Sequence, residues 1–261
     1  MSGDSKNPDI LGNRVSTNAQ IGKDVEIGFG TRVYSNVIIG KGTVIGDFCS
    51  IGHPYGGGLG EPLIIGENSL IRSHSVLYEG SNLGPNLETG HHVFIREKTI
   101  VGENLRLGSF SEISGDCSIG DYCRFQSYVH IGKGSAIGSF VWLFSLNITT
   151  NDPLPPSDIF RGVTIEDGSV VCVGAKLLPG AILRKGAYVS ANALISEEVP
   201  IGGVVDHNGE LICHVSHLIN LETGTRHPWM RHFNHVFPER AQSRIKKLLD
   251  EIMEAKDKLI L

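Results

Sequence analysis

"IGKDVEIGFGTRVYSNVIIGKGTVIGDFCSIG", residues 21–52, places Ile or Val at 21, 27, 33, 39, 45 and 51, with Gly after most of them. A spacing of six matches neither an α-helix, near 3.6 residues per turn, nor a lone strand, whose faces alternate every ~2 residues. The pattern is a repeat. Its phase starts at Val15, runs to Ile51, resumes at Ile65 and continues through Ile71, Leu77, Leu83, Thr89, Ile95, Val101, Leu107, Ile113, Ile119, Phe125, Ile131, Ile137, Leu143 and Thr149. A third stretch holds Ile165, Val171, Leu177, Leu183, Val189 and Ile195. Four residues after each comes a second small or aliphatic residue, such as Thr31, Thr43, Ser69, Val93, Val129 and Ala175. Two inward positions in six residues make one short strand and one turn. Such a unit cannot bury its apolar side alone, so stacked copies must do it, and the chain is expected to form a β-solenoid.

Composition agrees with a chain that turns often. The 33 glycines among 261 residues are about 13%, against a usual ~7%. A net charge of -5 gives no electrostatic footprint for nucleic acid or an anionic membrane. The N-terminus "MSGDSKNPDILG" has no apolar signal core, and no run approaches the ~18 apolar residues of a membrane span. The expectation is a cytoplasmic protein. Cys49, Cys117 and Cys123 fall on small inward positions, so the spacing of Cys117 and Cys123 is the repeat period rather than a metal-ligand pair.

The [LIV]-G-x-x-[STAV]-x pattern resembles the hexapeptide repeat of left-handed parallel β-helix acyltransferases. It covers about 70% of the chain. The resemblance implies triangular coils of three hexads, stacked ~4.8 Å apart like any hydrogen-bonded strands, a left hand, and trimers about a parallel axis. The expected fold is all-β: a left-handed parallel β-helix of about nine coils over residues 1–200, then a hairpin and α-helix cap over 201–261. Between Ile51 and Ile65, and between Thr149 and Ile165, extra segments "HPYGGGLGEP" and "TNDPLPPSDIFRG" must loop outward. Counting hexads in threes puts 51, 77, 95, 113, 131 and 149 on one edge, so both loops overhang that edge. Loops on a rigid scaffold are where function concentrates. Downstream, "GVVDHNGELICHV" reads as a hairpin about Asn208 and Gly209. The last segment reads as a helix starting at Pro238, with Ile245, Leu248, Leu249, Ile252 and Leu259 on one face, expected to close the open end of the solenoid.

The elements "TGHH…IRE", "TNDP-x-PPS" and "HPWMRHF" resemble N-acyltransferases acting on nucleotide-linked amino sugars, in particular the branch acting on dTDP-3-amino-3,6-dideoxyhexoses. That resemblance implies acetyl-CoA, or another short acyl-CoA, as co-substrate, a nucleotide-sugar partner, a homotrimer and no metal. A related bacillosamine-type branch carries "V-x-H-D-C-x-I-G" with His as general base. Here the matching stretch is "ISGDCSIG", with Gly115 at that position. Either another side chain takes the proton, or a neutral amine attacks the thioester unaided and the departing thiolate collects it.

Candidates to serve the chemistry follow from the columns. His74 and His92 lie 18 residues apart and are expected to stack, with His91 beside them; His130 is expected above Glu112. The catalytic candidates are His130, Asn151 and His92, and each histidine also has a plain reading as a solvated or subunit-contact residue. Asn151 also reads as an Asx turn before Pro153. His91, Glu79, Arg96, Glu97, Glu112 and Asp152 are candidates for sugar or phosphate contacts, though Arg96 and Glu97 also read as a pair in solvent. For the coenzyme, free backbone N–H groups of Gly174 and Ala175 and the charges of Lys176, Arg184 and Lys185 are candidates. The alternative acceptors are a UDP-4-amino sugar or an amino-acid-type molecule. Zinc hydratases share the solenoid but need a close His pair plus a third across the subunit boundary, usually with an H-x4-H element, and none is read here. A structural rod is disfavoured because two long Gly/Pro loops on one edge serve no packing purpose.

Overall fold

The computed structural model describes residues 14–56, 58, 60–230 and 237–259. Every hexad forms a two- to four-residue strand, and successive strands wind through three stacked sheets, called here faces A, B and C. Among the described residues, faces A and B have ten strands and face C eleven. The register is parallel and advances by 18 residues per rung, as in Glu88↔Arg106, Ile95↔Ile113 and Ile100↔Ser118. The architecture is a parallel β-helix, consistent with the left hand that the repeat implies. There is one rung more than the ~nine counted from hexads. Past Ile195 the spacing tightens, yet Glu198–Val199 and Gly203–Val205 still pair with the rung before.

The inward positions form one continuous core. Ile51, Ile71, Leu77, Leu83, Ile95, Ile113 and Ile131 are all 0% exposed. At ~25 cal/mol per Å² of apolar surface buried, each full-sized aliphatic there contributes about 1.5–3 kcal/mol. The small inward residues have a second task. Ser75, Ser81 and Ser111 accept through Oγ from the N–H of Val93, Thr99 and Val129 one rung on. Buried turn amides otherwise left without partners are thereby satisfied. Cys49, Cys117 and Cys123 take the same positions as buried free thiols, and burial drives the Cys123 pKa up to about 12.

The turns require the left-handed backbone region. At corner CA, between faces C and A, Phe48, His74, His92, Phe110 and Tyr128 all have φ between 55° and 62°. An L-residue there costs roughly 1–2 kcal/mol. Ring stacking offsets part of it: centroids are 5.3 Å apart for Phe48 and His74, 4.7 Å for His74 and His92, 5.0 Å for His92 and Phe110, and 5.1 Å for Phe110 and Tyr128. At corner BC the same conformation falls on Asn68, Asn86 and Asn104, which tolerate it best among non-glycine residues.

Both loops leave from one corner. Face A supplies Ile51 and Thr149, face B receives the chain at Ile65 and Ile165, and so both segments project at corner AB. The hairpin forms as expected, Gly203–Val205 pairing antiparallel with Leu211–His214 around a turn held by Asp206.

The terminal helix, α1 (Glu239–Glu254), begins after Pro238 and buries Ala241, Ile245, Leu248 and Ile252; Leu249 is half-buried and Leu259 lies beyond its end. Its position corrects the expectation that it closes the solenoid. It lies lengthwise against corner BC, where Arg240 pairs with Glu103, Arg244 with Asp121 and Lys185 with Glu251. The reason is apolar. Tyr122, Phe140 and Trp142 form an aromatic strip on that side, and Trp229 and Phe237 pack against it. On face C the strand Leu211–His214 covers the last edge instead. Of the element "HPWMRHF", Trp229 and Met230 are buried anchors; residues 231–236 lie outside the described residues.

Candidate functional site

Corner AB carries a polar constellation beneath the two loops. The 18-residue stacking puts Glu79, Glu97, Gly115, Lys133 and Asn151 in one column beneath the two loops. Glu97 is 2% exposed and Glu79 6%, both unusual for carboxylates. Arg96 grips Glu97 bidentately, Nε to Oε2 at 3.1 Å and a terminal nitrogen to Oε1 at 3.2 Å. Glu79 Oε1 accepts from the N–H of Tyr55 at 2.9 Å, tying the first loop down. The Tyr55 and Tyr78 rings lie 5.6 and 5.7 Å from the Arg96 guanidinium carbon.

From the other side, the second loop brings Phe160 to 5.9 Å from Lys133 Nζ, and Lys133 pairs with Asp116 at 2.9 Å. That pairing raises the Lys133 pKa and keeps the ammonium charged. The loop is closed by Arg161 N–H donating to the Asn151 carbonyl at 2.7 Å. The corner thus gathers carboxylates, the Arg96 guanidinium, the Lys133 ammonium and aromatic rings from two loops. Such a set suits a polar ligand carrying both an amine and anionic groups.

Gly115 has no room for a side chain. Its φ is +92°, and a Cβ would stand 2.9 Å from the Glu97 carbonyl oxygen. The missing histidine of the related motif is therefore excluded by backbone as well as by sequence.

The remaining candidates fall elsewhere. His130 stands over Glu112 on face A, Nδ1 to Oε2 at 3.7 Å, with Ser114 Oγ donating to the same carboxylate at 3.2 Å. His92 is inside the ring stack at corner CA, across face A from the loops; His91 there has Nδ1 2.7 Å from Ser73 Oγ. Asp152 is used by its own loop, accepting from Ser157 N, Ser157 Oγ and Leu154 N. Those bonds, Ser157 foremost, hold its pKa down.

The coenzyme set does not converge. Gly174 and Lys176 lie at corner CA and on face A, whereas Arg184 and Lys185 lie near corner BC. The expected free backbone N–H groups are also taken, Gly174 N by the Ser145 carbonyl of the neighbouring rung and Ala175 N by the Cys172 carbonyl of its own turn. Arg184 is clamped between Glu166 and Glu198 and Lys185 is held by Glu251. Lys176 remains exposed. Sequence reading missed Tyr55, Asp116, Lys133 and Phe160; column arithmetic reaches Lys133, but nothing in the order of residues aims the two rings.

The H-x4-H element read as missing does occur, as His227 and His232, which corrects that reading; His232 is outside the described residues, and the His227 ring packs edge-on to Tyr188 at 5.4 Å. Among the described residues, no group of three His, Cys, Asp or Glu is placed to hold a metal, and no helix is long and apolar enough to cross a membrane.

Comparison with known proteins agrees with this architecture. Residues 18–53 and 98–133 match the family model described as bacterial transferase hexapeptide (six repeats). No curated protein matches the chain. Among solved structures, the Arabidopsis UDP-N-acetylglucosamine acyltransferase is similar at a TM-score of 0.59, with 18% identity over 77% of this chain and 72% of that one. It shares the fold. A UDP-N-acetylglucosamine acyltransferase from Bacteroides fragilis aligns at 0.49, with 12% identity over 94% and 89%. AntD, an N-acyltransferase from Bacillus cereus solved with dTDP-4-amino-4,6-dideoxyglucose and coenzyme A, aligns at 0.35, with 16% identity over 66% and 89%.

Proposed function

We propose that the chain is an acyl-CoA-dependent N-acyltransferase that moves an acetyl or short acyl group to the amine of a dTDP-linked 3-amino-3,6-dideoxyhexose. The observation that carries this reading is the convergence of both loops over the buried carboxylates Glu79 and Glu97 at corner AB. A carboxylate pair of this kind attracts an aminosugar ammonium, while Arg96 and Lys133 offer positive charge to the diphosphate.

In this reading the amine attacks the thioester carbon as the neutral base, the C–S bond breaks, and the thiolate leaves. The bound ammonium first gives one proton to solvent, freeing the lone pair, and after attack a second proton must depart from the nitrogen. His130, oriented by Glu112, or the leaving thiolate accepts it. The Asn151 amide orients the acyl carbonyl. In a single copy His91, His92 and Lys176 stand apart from the loops, so the reading includes a homotrimer whose grooves bring one copy's corner CA to the next copy's loops, with coenzyme A between them.

The experiment is thiol release on mixing acetyl-CoA with the purified chain and a dTDP-3-amino-3,6-dideoxyhexose, with a UDP-4-amino sugar and a small amino acid as comparison acceptors. Release with the first above the other two supports the proposal. Release with none of the nucleotide sugars overturns it.

A further inference from the structure

A hollow of about 300 Å³ lies on face C beside corner CA, across face A from the loops. Its walls are rich in donors. Arg72 and Arg106 meet over one carboxylate, Glu88, Arg72 at 2.9 Å from Oε1 and Arg106 Nε at 3.3 Å from Oε2. Arg72 is further fixed by donating to the Thr89 carbonyl at 2.7 Å. On the opposite rim stand His91, Ser109 and Ser127. The Ser109 Oγ accepts from the His91 N–H at 3.0 Å, which leaves its own O–H able to donate into the hollow. Gly90 and Gly108 make the floor; a Cβ on either would strike the next rung within 2.5 Å.

Charge in this patch does not cancel. Arg124 sits directly opposite Arg106 on the neighbouring strand, and like charges so placed repel. Two rungs therefore add two cations beside Glu88. Burial and, after it, Arg106 lower the Arg124 pKa, and Glu88 opposes them. Arg124 satisfies its own N–H groups on the carbonyls of Asn104 and Cys123, and Arg106 is the arginine with a largely exposed head.

We propose that this hollow is a phosphoryl-binding site, with Arg106 and the Ser109 and Ser127 hydroxyls as donors and Arg72 and Arg124 supplying field. Planar guanidinium groups and hydroxyls match phosphate oxygens, and an arriving phosphate competes with Glu88 for Arg106. The site lies beside corner CA, which the proposed trimer brings to the next copy's loops, so it rests on and deepens that reading, while phosphate binding is measured without acyl transfer. Its phosphate comes from a nucleoside diphosphate, from the adenosine 3′,5′-bisphosphate end of a coenzyme, or from free inorganic pyrophosphate.

Titration calorimetry on the full chain tests it with three probes: dTDP, adenosine 3′,5′-bisphosphate and inorganic pyrophosphate. At least one is expected to bind, and which one identifies the source of the phosphate. For that probe, Arg106→Gln should weaken binding about tenfold, the loss of a charge-assisted contact. Glu88→Gln should tighten it about threefold or more, because the competing carboxylate is gone. Misfolding cannot produce that opposite sign. Failure of all three probes to bind, or binding indifferent to both substitutions, overturns the proposal and leaves the acyl-transfer reading where it stood.

Discussion

Glu97 Oε1 lies 3.3 Å from the point where a Cβ on Gly115 would stand, so the carboxylate fills the space that a side chain at 115 would otherwise enter. The two residues are one rung apart and mutually exclusive in size. Gly115→Ala is expected to destabilise the chain by about 1–3 kcal/mol, from the positive φ and the contact with the Glu97 carbonyl. Gly115→His should fail to gain activity. Thermal unfolding and the thiol-release assay check both; a stable, faster Gly115→His enzyme would refute this account of the corner.

Arg96 and Glu97 are unequal partners, because Glu97 is buried and Arg96 is more than a third exposed. Removing the arginine strands a carboxylate without its counter-ion, whereas removing the carboxylate leaves a cation that can reach water. Arg96→Met should therefore cost more than Glu97→Gln, about 2–4 kcal/mol against about 1–2. Chemical denaturation gives the order, and the reverse order would be inconsistent with the burial.

His92 combines a strained backbone with two stacked rings. His92→Ala loses the contacts to His74 and Phe110 and keeps the strain, while His92→Asn relieves part of the strain. Asn should be the more stable variant by roughly 0.5–1 kcal/mol. Melting temperatures of the pair decide it.

His130→Ala and Asn151→Ala separate chemistry from position. If either group acts on the reacting atoms, kcat should fall more than about tenfold, which is ~1.4 kcal/mol of barrier. A smaller loss with unchanged KM removes that residue from the mechanism.

His214 gives the chain a pH dependence. It is buried under α1, with Nε2 donating to the Ile252 carbonyl at 3.0 Å and Nδ1 accepting from Ser216 N–H. Burial, opposed by the Ile252 carbonyl and aided by His217 and Lys256, lowers its pKa from 6.5. The folded state holds the neutral ring, so its contribution is full above pH 6.5 and is lost as the pH falls toward the lowered value. Protection factors of the α1 amides, corrected for the intrinsic pH dependence of exchange, should fall as the pH drops below 6.5 in the wild type and change less in His214→Asn. Equal pH dependence in both would remove His214 from that role.

The sequence made the scaffold legible because every rung repeats one steric solution. Ile51 and Thr149 reveal the shared corner of the loops by counting alone. Counting also pairs His130 with Glu112 and His74 with His92, as found. It says which residues share a column but not what each side chain already holds. Asp152 is bound by Ser157, Arg184 by Glu166 and Glu198, and the Gly174 amide by Ser145. The position of α1 was hidden for a related reason: an amphipathic face announces that it will be covered, and Tyr122 and Phe140, the surface that covers it, sit in turns far earlier in the chain.

The loops leave face A at its third and eighth strands, five rungs apart, or about 24 Å at ~4.8 Å per rung. A solenoid lengthens only by whole rungs, since a partial insertion would rotate everything beyond it to another side. The reach between the two overhangs is accordingly quantised, and a change of 18 residues between them would alter the span of molecule they can grasp by a single fixed step.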